Sequence, residues 1–218
     1  MKRELIPAIL AEKASDARQK FTLCHGLVRW IQLDVMDSQF VKHKTWSSAA
    51  QFNAWNIDVS LELHLMVKRP LTIMKRWAAT KQFKRAIWHI EANVDHGQIL
   101  DWCLEHHIQG GLALSPETPL AAITPYLHHK AFARALILGV SPGWSGQKVQ
   151  PNTYKKVRAL RGLMPTLPIA FDGGIKKANI PVLAKHGVTS FCIASTIFHS
   201  PDPRQTIKEL KGLIRNLP

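Results

Sequence analysis

Cysteine is scarce: Cys24, Cys103 and Cys192 are the only three in 218 residues, and no two of them form a CxxC pair. An odd number at such separations excludes a disulfide framework and a zinc-finger ligand set. Cys103 stands three residues before His106, which by itself is a weak metal signal, and Cys192 in SFCIAST reads as a small buried hydrophobe. Long apolar runs are missing too. No stretch approaches the roughly 18 uninterrupted apolar residues that a bilayer span needs. The apolar run in MKRELIPAILAEKASD is too short for a signal peptide and is followed at once by charge. These absences lead to the expectation of a cytoplasmic protein with no membrane partner.

Acidic residues are few, 15 Asp and Glu against 29 Lys and Arg, for a formal net charge of +14. Such a surplus concentrates anions near the surface, and nucleic acid is one candidate. The basic residues are nevertheless spread through MKRWAATKQFKR, YKKVRALR, GGIKK and KELKGLIR at helix-like spacing, with no basic tail and no nucleic-acid motif. Solvated outer helix faces are the simpler reading, and a nucleic-acid-associated protein is the less favoured alternative.

What is present is one recurring pattern. Short runs rich in Val, Ile, Leu and Phe alternate with longer amphipathic runs, as parallel βα units do. The strand candidates are ELIPAIL, VRWIQLDVMD, LELHLMV, AIWHIEA, GGLALSP, ALILGVSP, LPIAFDGG and SFCIAST. Helices are expected around 13–25, 48–56, 70–83, 96–107, 118–132, 151–164, 177–187 and 202–217, several opened by a proline near the first turn. Eight such units at about 27 residues each predict a single α/β domain over residues 1–218, a (β/α)8 TIM barrel. A doubly wound open sheet is the runner-up, because it seldom needs eight strictly alternating units. Seven tryptophans are numerous for this length and fit core or rim packing, or an interface in a homo-oligomer.

In a barrel the working end is the carboxyl end of the strands. There the sequence places Asp34, His64, His89 with Glu91, and Asp172. Gln32, Asp34 and Met36 alternate on one face of the second strand, as Glu62, His64 and Met66 do on the third, so two carboxylates and an imidazole converge on one mouth. Taken singly, each is explained as a satisfied core histidine or a turn aspartate. Together they favour a site, because an isolated Asp or His inside a barrel costs several kcal/mol unless paired or metal-bound. Imidazole with carboxylate suits a divalent metal and also proton transfer. Glycines cluster at the same end in SPGWSGQ and DGGI, and IASTIF closes the eighth strand. Gly143, Gly146, Gly173, Gly174, Ala194 and Ser195 would let backbone N–H groups approach a phosphate.

The blocks IPAIL, LDVMDSQFV, ELHLMV, HIEA, LALSPETP, GVSPGWSGQ, DGGI and IASTIF, in this order and spacing, resemble the ribulose-phosphate 3-epimerase family. The resemblance implies interconversion of ribulose 5-phosphate and xylulose 5-phosphate, a sugar-phosphate substrate, and a divalent ion such as Zn²⁺, Fe²⁺, Mn²⁺ or Co²⁺. It puts metal-binding acid/base carboxylates at Asp34 and Asp172, a metal-binding imidazole at His64, and Met36 and Met66 beside the reacting carbons. Two positions depart from the family pattern. Gln32 stands where a second metal-binding His is expected, and Ala8 where a substrate-side Ser is expected. An amide oxygen is a weaker ligand than imidazole for Zn²⁺ or Fe²⁺. A family member that binds sugar phosphate with altered or lost catalysis is therefore the alternative function.

Overall fold

The computed structural model describes residues 2–143 and 147–217. Eight parallel strands close on themselves in sequence order. They are β1 (Glu4–Ile9), β2 (Trp30–Met36), β3 (Ser60–Met66), β4 (Phe83–His89), β5 (Gln109–Leu114), β6 (Phe132–Leu138), β7 (Ile169–Asp172) and β8 (Ser190–Ile193). Closure comes from β1 pairing with β8, Glu4 opposite Ser190 and Pro7 opposite Ile193. The helices are α1 (Ala14–Cys24), α2 (Ala49–Ala54), α3 (Pro70–Trp77), α4 (His96–Glu105), α5 (Asn152–Leu163), α6 (Ile180–His186), α7 (Ser195–Phe198) and α8 (Pro203–Arg215). The predicted barrel is the observed one, and the open sheet is excluded.

Local chemistry explains several helix ends. The Asp95 and Asp202 carboxylates accept from the Gln98 and Gln205 backbone N–H groups, both at 2.9 Å, and so cap α4 and α8. Pro70 and Pro203 open α3 and α8, where a missing N–H costs nothing. Gly187, at φ 117°, closes α6 in a left-handed conformation.

Two expected helices fall short. The segment 118–132 holds only a 3₁₀ helix, Leu120–Tyr126, because Pro125 lies inside it and its ring excludes a regular α-helical turn. The third helix stops at Trp77 instead of continuing to 83, since Phe83 already begins β4 after a turn in which its N–H donates to Thr80 O.

Alternation sorts the strands into two cores. Ile31, Leu33 and Val35 face outward into the large cluster under the helices, whereas Ile6, Ile87, Ala113, Leu136 and Cys192 fill the barrel interior. Trp46, Trp55 and Trp77 pack with Phe52 and, through Trp55, with Phe21 in one aromatic cluster between barrel and helices. Trp30 and Trp88 are buried as well, so core packing accounts for these tryptophans.

The lower end of the interior is ionic. Glu62, fully buried, accepts from Arg85 Nη1 at 2.6 Å and faces Arg134 Nη1 at 3.4 Å, while Arg134 Nη2 donates to Glu4 at 2.8 Å. The Arg85 guanidinium lies 3.8 Å from the Trp30 ring centroid and donates to Gln109. Two cations and two anions cancel, and the sequence patterning gave no hint of them as a set. Removing one partner strands the others. Glu62→Gln is expected to lower stability by about 3–5 kcal/mol. Urea unfolding would register this as a lower midpoint at an unchanged slope.

Candidate active site

β2, β3, β4 and β7 each deliver one or two polar side chains to the upper end of the interior. Trp30, Gln32, Asp34 and Met36 point inward along β2, and Asp34 stands level with His64 of β3 and Met36 with Met66. Asp172 is the last residue of β7 and pairs with Leu138 of β6. The lining of the mouth includes Asp34, Met36, His64, Met66, Leu138 and Asp172.

The expected rim is there as well. Gly143, Gly173, Gly174, Ala194 and Ser195 line the same cavity, and Gly146 lies outside the described residues. Gly173 and Gly174 have φ of +92° and +71°, and a Cβ on either would come within 2.5 Å of Val140 or 2.7 Å of Val149. Only glycine fits that turn. Leu10, Val140 and Ser141 also line the mouth and were not singled out by the sequence; their position one to three residues past a strand end was the available signal. Ala8 is fully buried below the cavity and does not line it. The enclosed space is about 50 Å³.

Gln32 holds the centre together. Its Nε2 donates to Asp34 Oδ1 at 2.8 Å and to Asp172 Oδ2 at 2.6 Å, bridging carboxylates 138 residues apart in the chain. Its Oε1 is buried and has no hydrogen-bond partner among the described residues. His64 Nδ1 lies 3.0 Å from Asp34 and 3.5 Å from Asp172.

Behind His64 runs a chain of contacts that fixes its orientation. His64 Nε2 meets His89 Nε2 at 3.1 Å, and His89 Nδ1 meets Glu91 Oε2 at 3.0 Å. Burial lowers the His89 pKa and favours its neutral form; the Glu91 carboxylate accepts from its Nδ1–H, and its Nε2 accepts from His64 Nε2–H. That leaves His64 Nδ1 facing the two carboxylates. Burial opposes a charge on His64, but hydrogen bonds and charge from Asp172 and Asp34 outweigh it and raise its pKa to about 10. Burial raises the Asp34 pKa, helped by the Asp172 charge and opposed by His64 and Gln32. Glu91 is partly buried, yet hydrogen bonds from His89, Thr118 Oγ1 and Ser115 N–H bring it down to about 2. Lys156 Nζ donates to the Ser115, Pro116 and Thr118 carbonyls and secures the loop that carries these donors.

The donor set fits a divalent ion. One ligand atom each from Asp34, His64 and Asp172 lies within 4.8 Å of the others, and His64 is oriented through its second nitrogen as metal-bound imidazoles are. Gln32 enters as a hydrogen-bond donor, and its orphaned Oε1 is the atom that a turn of the amide would offer.

A closed (β/α)8 barrel with paired carboxylates and an oriented imidazole at its carboxyl mouth is equipped for acid/base chemistry on a small molecule. The ribulose-phosphate 3 epimerase family model matches residues 4–198. The chain belongs to the ribulose-phosphate 3-epimerase family. It is 31% identical over 185 residues to a ribulose-phosphate 3-epimerase, cytoplasmic isoform, of Oryza sativa subsp. japonica, covering 84% of this chain and 81% of that one. A ribulose-phosphate 3-epimerase of Candida glabrata is 29% identical, with 97% and 92% covered. In fold alone, the chain is similar to KGPDC of Streptococcus mutans, with TM-score 0.73, 12% identity and coverage of 100% and 99%. No helix among the described residues is long and apolar enough to cross a membrane.

Because Glu91 has a folded-state pKa below the usual 4.5, its contribution to stability is complete above that pH and declines as pH falls toward 2. With allowance for its solvent exposure, the native protein is expected to lose about 1 kcal/mol more stability than Glu91→Gln between about pH 5 and pH 3. Parallel urea titrations of the two proteins at both pH values measure the difference.

Proposed function

We propose that this chain is a ketose-phosphate 3-epimerase that interconverts ribulose 5-phosphate and xylulose 5-phosphate, or a closely related pair. The observation that carries the reading is the placement of Asp34 and Asp172 on either side of one polar floor, bridged by Gln32 and backed by His64. Epimerisation next to a carbonyl needs one group to remove the C3 proton and another to return one to the opposite face. The two carboxylates take these roles and exchange them when the direction reverses. One must be protonated while the other is ionised, and the upward shift of Asp34 by burial supports that division.

Met36, Met66 and Leu138 would exclude water from the carbon skeleton with apolar walls. The glycine-rich turns after β6 and β7 and the segment at Ala194 and Ser195 would receive the phosphate through backbone N–H groups. The enclosed space is small, so most of the sugar phosphate would sit above the floor among these rim loops. Asp34, His64 and Asp172 would hold the divalent ion, which when bound supplies Lewis-acid stabilisation of developing negative charge. His64, oriented by His89 and Glu91, keeps Nδ1 aimed at the same point.

The direct test is solvent-deuterium exchange at C3 of ribulose 5-phosphate, followed by NMR. Asp34→Asn and Asp172→Asn are each expected to slow exchange by about 10²–10⁴-fold. Binding of the sugar phosphate without exchange in the native protein, with Zn²⁺, Mn²⁺, Fe²⁺, Co²⁺ and Mg²⁺ each tried, would replace this reading with that of a sugar-phosphate-binding protein. A separate expectation concerns Gln32. Replacing it by His should tighten Zn²⁺ or Co²⁺ binding on the order of tenfold or more, read by calorimetry without substrate.

A further inference from the structure

A much larger cavity than the mouth lies at the opposite end of the barrel from Asp34 and Asp172. It measures about 800 Å³ and is bounded by the start of β1, the turn between α1 and β2, and the last two turns of α8. Trp30 and Leu5 reach it from the barrel, and Leu27, Val28 and Ile214 supply apolar walls. Its charged lining is mainly basic.

Lys2, Arg29, Lys208 and Arg215 all line this cavity, are exposed, and make no side-chain hydrogen bond or ion pair among the described residues. Two further cations, Arg3 and Lys211, also line it and donate to the Leu217 and Leu27 carbonyls, tying α8 to the neighbouring segments. The one carboxylate in the lining, Glu4, is already engaged by Arg134 Nη2 at 2.8 Å and Ser190 Oγ at 3.0 Å. A basic residue in the last turn of α8 is favoured by the helix dipole, which accounts for Arg215. It does not account for Lys2 and Arg29, which come from other elements.

We propose that this cavity binds a small, multiply charged anion with an apolar body, of nucleoside di- or triphosphate chemistry. The charge calls for several phosphates at once, because four cations without an ion-pair partner among the described residues attract a multiply charged anion more strongly than a singly charged one. The apolar walls would be wasted on phosphate alone. The volume falls within the few hundred to about 1,000 Å³ of small-molecule sites, whereas a nucleic-acid strand needs a groove that tracks its backbone. This inference concerns the amino end of the strands and is independent of any reaction at the carboxyl mouth.

Calorimetry with ATP, tripolyphosphate, adenosine and a short single-stranded RNA separates the contributions. ATP is expected to bind at least about tenfold more tightly than tripolyphosphate or adenosine, and more weakly as salt rises. Hydrogen exchange should show protection at residues 26–30 and 208–217 but not at 172–175. The double variant R29E/K208E, checked for an unchanged melting temperature, should lose at least about tenfold in ATP affinity, and R29A/K208A less. The proposal fails if no ATP binding is detected, or if tripolyphosphate binds as well as ATP. It also fails if R29E/K208E binds normally, or if RNA binds more tightly than ATP, which would make the basic end a nucleic-acid surface.

Discussion

Inside a closed eight-stranded barrel there is no water to hydrate a charge, so every ionised group there must be neutralised by another side chain. This constraint organises the whole interior. At the amino end two arginines and two glutamates cancel through Glu62, and at the carboxyl end the Gln32 amide and His64 face two aspartates. Ile6, Ile87, Ala113 and Leu136 fill apolar space in the same interior. The upper polar group opens onto the mouth lined by the glycine-rich turns, and Glu4 of the lower group reaches the cavity at the other end.

Gln32 shows how a neutral group serves such a layer. An amide can donate two hydrogen bonds from one nitrogen, which suffices to hold two carboxylates together, but it carries no charge to offset theirs. The cationic tendency of His64 supplies the difference, and the chain through neutral His89 to Glu91 determines which of its nitrogens does so. The proton arrangement at the mouth therefore depends on Thr118, Ser115 and Lys156, which lie well outside it. Substitutions in that loop would act on the centre through orientation without touching a substrate.

The two ends of the barrel divide the chemistry. Titratable groups that oppose one another crowd the small upper cavity, whereas the larger lower cavity is lined mainly by cations. Size alone would point to the end away from Asp34 and Asp172. The excess of positive charge, which composition assigned to outer helix faces, is in part gathered on one concave surface where α8 meets the turn before β2.

Much was legible in one dimension. Period-two alternation put Gln32, Asp34 and Met36 on one face and Ile31, Leu33 and Val35 on the other, and the repeated βα spacing led to the barrel, because in a parallel sheet these patterns are consequences of local backbone geometry. Glycine pairs with apolar neighbours marked the turns at 173 and 174 for the same reason. Helix lengths were less legible where a single proline, Pro125, or the onset of a strand at Phe83 overrode the apolar pattern. The ionic set of Glu4, Glu62, Arg85 and Arg134, the bridge from Gln32 to Asp172, and the gathering of Lys2, Arg29, Lys208 and Arg215 arise only when distant segments meet. Residue type and spacing determined the fold and the identity of the mouth residues; the closure of β1 on β8 decided which of those residues touch, since a contact between side chains over a hundred positions apart is a property of the barrel's curvature and not of any local run.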